Sequence, residues 1–218
     1  MTEAPDRSPR PFDADFRETF RELVLWRRDV RRFRRDPIDP ALVHSLLELA
    51  SHAPSVGYCQ PWRFVLVESS TCREAIKESF VRANAEALEN YCGEQRAQYA
   101  RLKLEGLEAA PVHLAVFADD VAKEGSGLGR RTMPETLRYS VVAAVQTLWL
   151  AARAEGLGLG WISILEPEVV RQTLDVPDTW TLVAYLCIGR PVEEHLDPEL
   201  DRHHWQERVD VTRLIFRR

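Results

Sequence analysis

The chain has 218 residues, 45% of them hydrophobic, enough to bury a full core as one large domain or two small ones. Its formal net charge of -5 speaks against general nucleic-acid binding, which needs a basic surface. No window approaches the roughly 20 apolar residues of a membrane span, Met1–Arg10 lacks the apolar core of a signal peptide, and four scattered cysteines without a Cys-x-x-Cys pair fit reduced thiols in the cytoplasm.

Apolar residues at Phe16, Phe20, Leu23 and Val24 predict an amphipathic helix over Phe16–Arg28. Asp39-Pro40 opens a second helix, with Leu42, Val43, Leu46, Leu47 and Leu49 facing the core. Ala53–Pro61, bounded by prolines, reads as a loop and Trp62–Glu68 as a strand. Thr71 to about Glu108 is charged and helix-forming, with a break near Tyr91-Cys92-Gly93. Val112–Ala118 is a second strand and Asp119–Pro134 a polar loop. Glu135–Glu155 is a helix too hydrophobic all round to lie on a surface. A buried strand over Trp161–Leu165, a short helix over Pro167–Leu174 and a last strand over Thr181–Ile188 follow. With no repeat and no linker, residues 1–218 read as one α+β domain.

Chemistry concentrates near residue 30. Trp26–Arg35 holds six arginines (Arg27, Arg28, Arg31, Arg32, Arg34, Arg35) around a single carboxylate, Asp29. Arginine's planar fork suits phosphate, so the cluster points to an anionic ligand. On the residues alone a solvated charged face remains open, because 26 of the 29 basic residues are arginine. Two glycine patterns lack the context of a nucleotide site. Gly156-Leu-Gly158-Leu-Gly160 follows a helix and precedes a strand, the reverse of a dinucleotide fingerprint, and is expected to cap the helix and let its end pack tightly. Gly125-Ser-Gly127-Leu-Gly129 lacks the Lys-Ser/Thr of a P-loop and reads as a mobile loop. No His/Cys cluster has metal spacing, so no metal is expected, and no Gly-x-Ser-x-Gly elbow is present.

The order Arg27-Arg28-Asp29-Val30-Arg31, Ala53-Pro54-Ser55…Gln60-Pro61-Trp62, Gln146-x-x-Trp149-Leu150-Ala151-Ala152 and Gly156-x-Gly158-x-Gly160-Trp161 resembles the flavin-dependent nitroreductase family over about residues 20 to 190. The resemblance implies a central, mostly antiparallel sheet flanked by helices, with a helical lid insert at about 71–108 and 119–134. It also implies FMN held at the interface of a homodimer, by Arg27, Arg28, Asp29, Val30, Arg31, Ser55, Gln60, Trp161, Ile162, Ser163 and Arg208. The tail after Arg190 matches only loosely, which leaves the Arg208 contact open. Ordinary members usually carry a small polar residue at the position of Asp29. Asp29, Gly160-Trp161-Ile162-Ser163-Ile164, Arg82-Ala83-Asn84, Gly93-Glu94 and Leu102–Gly106 are similar to a branch that consumes its flavin, with reduced FMN as substrate and O2 as oxidant. Tyr58-Cys59 and Cys92 depart from its pattern.

For that chemistry Asp29 is the expected catalytic base, and Ser163 the residue that orients it or a peroxide intermediate. A carboxylate beside an anionic flavin opposes binding unless arginines offset it, which marks Asp29 as a candidate for catalysis. A salt bridge tying down the arginine segment, and a backbone-bonded strand serine, are the structural alternatives. A separate flavin reductase is the expected source of reduced FMN. A conventional NAD(P)H-dependent nitro- or quinone reductase, and a non-catalytic flavin-binding protein, are the competing functions.

Overall fold

The helix α6 (Thr136–Ala154) organises the molecule. Its Val141, Ala144, Val145, Leu148 and Ala152 are buried almost completely, but Tyr139 and Val142 are exposed, so the helix is buried along one stripe and not all round as its sequence suggests. They pack on one face of a sheet built from β1 (Trp62–Leu66), β2 (Val112–Asp119), β3 (Gly158–Ile162) and β4 (Trp180–Gly189). The strand order is β1-β2-β4-β3, every neighbouring pair antiparallel. The computed structural model describes residues 11–101 and 106–218, so the expectations placed on Met1–Arg10 and Leu102–Glu105 lie outside the described residues.

Both central strands are buried on two faces, which explains their continuous apolar runs. Leu114, Val116 and Ala118 of β2 face α6 and the helix α2 (Pro40–Ala50), whereas Ala115 and Phe117 face the opposite layer. That layer contains α3 (Ser70–Glu89), which contributes Ile76, the short α5 (Gly106–Ala109), and α7 (Pro167–Thr173), which contributes Val170. Each large side chain so buried stabilises the fold by roughly 1.5–3 kcal/mol. The expected break in the charged region falls between α3 and α4 (Gly93–Arg101).

Three readings shift. In α2, capped by the Asp39 side chain on Ala41 N–H (2.8 Å), the buried stripe is Val43, Leu46 and Ala50, and Leu49 turns outward. The third strand begins and ends earlier than its aromatic residue suggests, so Ser163 lies just beyond it. The first helix, α1 (Ala14–Trp26, capped by Asp13), buries none of its residues, and Phe16, Phe20 and Val24 stay exposed. Among the described residues, Phe16, Phe20 and Val24 of its apolar stripe are left largely uncovered.

Candidate active site

Residues 29–34 leave α1 and run along the outer edge of the sheet. Val30 N–H donates to Leu159 O (2.8 Å), Asp29 forms a parallel bridge with Leu159, and Arg34 N–H donates to Arg190 O (2.8 Å). Two glycines make this approach possible. A Cβ at Gly158 would lie 2.5 Å from Val30 Cγ2, and one at Gly160 would lie 2.2 Å from Val30 O. Only Gly156, at φ +70°, ends the preceding helix in the left-handed region. The glycine run thus seats the arginine segment, a correction to the capping role expected for it.

That segment opens a cleft lined by Arg27, Arg28, Asp29, Arg31, Pro198, Glu199, Leu200 and Arg208. Arg28 Nε donates to Leu196 O (2.7 Å), and its guanidinium is pushed below its ordinary value by burial and then by the charges of Arg27 and Arg208. Arg27 stacks over the Trp149 ring at 5.1 Å, while Trp149 Nε1 donates to Arg28 O (3.2 Å). Among the described residues, two buried side-chain nitrogens have no hydrogen-bond partner, Arg27 Nε and Arg31 Nε. A buried donor left unpaired costs about 1–3 kcal/mol, and such a group in a cleft wall marks a place where a ligand acceptor is missing.

Asp29 stands among these charges under control. Trp161 N–H donates to its Oδ1 (2.9 Å), and Arg31 Nε lies 3.5 Å from its Oδ2 but makes no hydrogen bond. Burial raises its carboxyl above the ordinary range, the Trp161 amide and Arg31 pull it down, and Glu199 pushes it up again. The side chain keeps 38% of its surface open, so the raised carboxyl still faces the cleft. A backbone amide, rather than Ser163, is the group seen to orient Asp29.

The remaining expected site residues are dispersed. Val30 lies beneath the segment against Gly158, Ile162 is core, and Trp161 tilts against Trp149 with ring centroids 6.3 Å apart. Ser163 is exposed, one residue past β3, so the buried strand serine is not what the structure places there. Ser55 and Gln60 do not line the arginine cleft. They belong to a loop held by its own bonds, Gln60 N–H to Ser55 Oγ (3.1 Å) and Val56 N–H to Ser140 Oγ (3.0 Å). Tyr58 and Gln60 sit at φ +58° and +48°, unusual for side-chain-bearing residues. A Cβ on Gly125 would meet Gly57 O at 2.1 Å, so the second glycine pattern interlocks with this loop, a contact that reading it as a mobile loop does not foresee.

Sequence reasoning missed Glu199, Arg202 and the run Glu193–Asp197, which form the far wall around the segment. No motif marks them, and they lie in the tail where the pattern is loose.

The arginine-lined cleft lies on the rim of an antiparallel sheet with helices on both faces, and residues 24–190 match the Nitroreductase family. The chain belongs to that family. A 5,6-dimethylbenzimidazole synthase from Rhodospirillum rubrum is 57% identical over 197 residues, spanning 90% of this chain and 93% of the relative. One from Rhodobacter capsulatus is 46% identical over 198 residues, spanning 91% and 96%. Among solved structures, iodotyrosine deiodinase bound to FMN and 3-iodo-L-tyrosine superposes with a TM-score of 0.68 at 27% identity, over 80% of this chain and 91% of that one.

Proposed function

We propose that this chain makes 5,6-dimethylbenzimidazole by O2-dependent fragmentation of reduced FMN, leaving erythrose 4-phosphate, and so supplies the lower ligand of cobalamin. The observation that carries the reading is Asp29, a carboxylate held by the Trp161 amide inside a cleft of arginines with unpaired nitrogens. A binding-only flavin site gains nothing from that charge.

FMN fits the residues present. Arg27, Arg28 and Arg208 supply fixed positive charge for its phosphate, and the lone Arg27 and Arg31 Nε donors await acceptors. When bound, reduced flavin supplies the electrons for O2 and the atoms of the product. Asp29 Oδ2, free of the amide bond, is the proton acceptor for a ribityl hydroxyl, and burial, which raises its affinity for protons, makes it a stronger base than an exposed carboxylate. Arg31 beside it balances the charge. Ser163, exposed past β3, acts on the substrate side. No metal enters this scheme.

A homodimer completes the site. The exposed Phe16, Phe20 and Val24 of α1, and Val211, Leu214, Ile215 and Phe216 of the tail, form apolar faces that a second copy covers. The loop of Ser55 and Gln60 then reaches the flavin from the other subunit. The end of α3 with α4, together with residues 119–134, acts as a lid that keeps water out. Tyr91 and Tyr99 of that insert stack at 4.8 Å, and Tyr91 meets Trp205 edge-on at 5.5 Å, joining it to the tail behind Glu199. A separate reductase delivers reduced FMN in the cytoplasm, where the four free cysteines stay reduced. No helix among the described residues is long and apolar enough to cross a membrane.

Aerobic incubation with excess chemically reduced FMN, without nicotinamide, should yield 5,6-dimethylbenzimidazole and a four-carbon sugar phosphate by mass detection. Recovery of only oxidised FMN and hydrogen peroxide at every enzyme concentration would overturn the proposal. Steady NAD(P)H turnover against a nitroaromatic would replace it with the conventional reductase.

A further inference from the structure

Glu199 opens the four-residue helix α8 (Glu199–Arg202), and its side chain is only 11% exposed. A carboxylate so enclosed needs partners, and it has them on the arginine segment. Its Oε1 lies 3.4 Å from Arg32 Nη1, and its Oε2 lies 3.9 Å from Arg31 Nε. The same Arg31 Nε is 3.5 Å from Asp29 Oδ2. One guanidinium nitrogen therefore stands between two carboxylates and makes a proper hydrogen bond to neither. Arg31 is 12% exposed, and its terminal nitrogens make no hydrogen bond to the described residues while the side chain lines the cleft.

We infer that Glu199 is a positioning residue, which draws Arg31 Nε away from Asp29 so that the Asp29 carboxylate keeps its affinity for a proton and the Arg31 fork stays turned to the ligand. The inference rests on the role proposed for Asp29. Without Glu199, Arg31 has one carboxylate left and closes on it. Asp29 would then be a salt-bridged anion, a weaker base and a poorer donor of space to the flavin. The electrostatics run the same way, since Glu199 opposes and Arg31 favours ionisation of Asp29. The titratable and charged groups around the pair are Arg31, Arg32 and His203 facing Glu199, Arg31, Glu199 and the buried Cys187 thiol around Asp29, and Arg27, Arg28 and Arg208 across the same cleft.

Glu199→Gln keeps the shape and removes the charge. Activity that needs ionised Asp29 falls away on the acid side, and in E199Q this acid limb should move to lower pH by about half a unit or more, the scale of losing a nearby like charge. Turnover at saturating reduced FMN and neutral pH should fall about tenfold, with affinity for oxidised FMN held within about threefold. A purely structural Glu199 would lower melting temperature and leave the acid limb in place, and an unmoved limb overturns the inference. Should E199Q fail to fold, Glu199→Asp, which keeps the charge but withdraws it by one methylene, should move the limb in the same direction by less.

Oxidised FMN titrated by fluorescence from pH 5 to 8 gives a readout that needs no turnover. Ionised Asp29 repels the phosphate, so the part of the pH dependence abolished by Asp29→Asn should shift to lower pH in E199Q, and the double variant should show no further shift. If wild type makes no 5,6-dimethylbenzimidazole but this binding shift occurs, the reaction is wrong and the positioning role stands. If product forms and neither shift occurs, the positioning role is wrong.

Discussion

Two places in this molecule hold titratable groups well away from their ordinary behaviour, and they differ in what surrounds them. In the core, His113 is 2% exposed and pairs through Nδ1 with the Tyr185 hydroxyl at 2.9 Å, its ring edge-on to the phenol. Burial lowers the imidazole from 6.5 to about 4 and pushes the Tyr185 phenol and the Cys187 thiol up. Nearby Arg73 spends its guanidinium on Val67 O (2.7 Å) and Pro111 O (3.1 Å). In the arginine cleft the carboxyl of Asp29 is also raised by burial, but Arg27 and Arg31 keep buried nitrogens without partners. A shifted proton affinity is common to both regions. The unspent donors are found in one, and they distinguish a site from a well-satisfied core.

The two regions differ most at Asp29. Asp29→Asn still presents an oxygen to Trp161 N–H, so the segment stays seated. FMN affinity should hold or improve as repulsion is lost, while product formation falls by about 10² to 10⁴, the range for a general base. Reduced flavin should still be oxidised by O2, because that step does not need the carboxylate. If the variant binds FMN poorly yet forms product normally at saturating FMN, Asp29 is a structural tether, and the two regions are alike after all.

His113 should behave in the opposite manner. Its folded value is depressed, so the neutral ring is favoured by folding. The stability this carries is present above pH 6.5 and is lost as pH falls toward about 4. A shift of that size corresponds to about 3 kcal/mol across the window. Denaturant unfolding at pH 7 and near pH 4 should show this loss in wild type and a smaller one in His113→Gln. FMN affinity at pH 7 should not follow. A matching loss of flavin binding at neutral pH would place the pair in the functional machinery.

How far the sequence discloses each region depends on the range of the contacts involved. The helix α6 is legible from its density of apolar residues, although only one stripe of it is buried, and the arginine segment is legible because its charges are contiguous. Asp29 stood out as the only carboxylate among six arginines. Gly158 and Gly160 look like helix capping in the sequence because what they accommodate, Val30, is distant along the chain. The fold of residues 29–34 onto β3 had to be seen. Glu199 was invisible for the same reason, since its partners Arg31 and Arg32 come from the other end of the chain. Ser163 was placed in a strand because Trp161 and Ile162 look like strand residues, and the strand stops at Ile162. The apolar period of α1 predicts the helix correctly, yet its Phe16, Phe20 and Val24 stay exposed among the described residues.

The smallest effect tests the unspent donors themselves. Arg27→Ala removes a guanidinium that stacks on Trp149 and leaves its Nε buried and unpaired. Loss of the stacking contact costs about 0.5–1 kcal/mol, and relief of an unsatisfied buried donor returns a similar amount. Stability of the flavin-free protein should therefore stay within about 1 kcal/mol of wild type. FMN binding should weaken by at least about 2 kcal/mol, because a buried charge contact to the ligand is gone. Fluorescence titration and denaturant unfolding on the same preparation separate the two. A residue of the core kind would show the reverse, with stability falling and affinity kept. Unchanged affinity would mean that Arg27 belongs to a solvated face, and that the unpaired nitrogens of the cleft do not await a ligand.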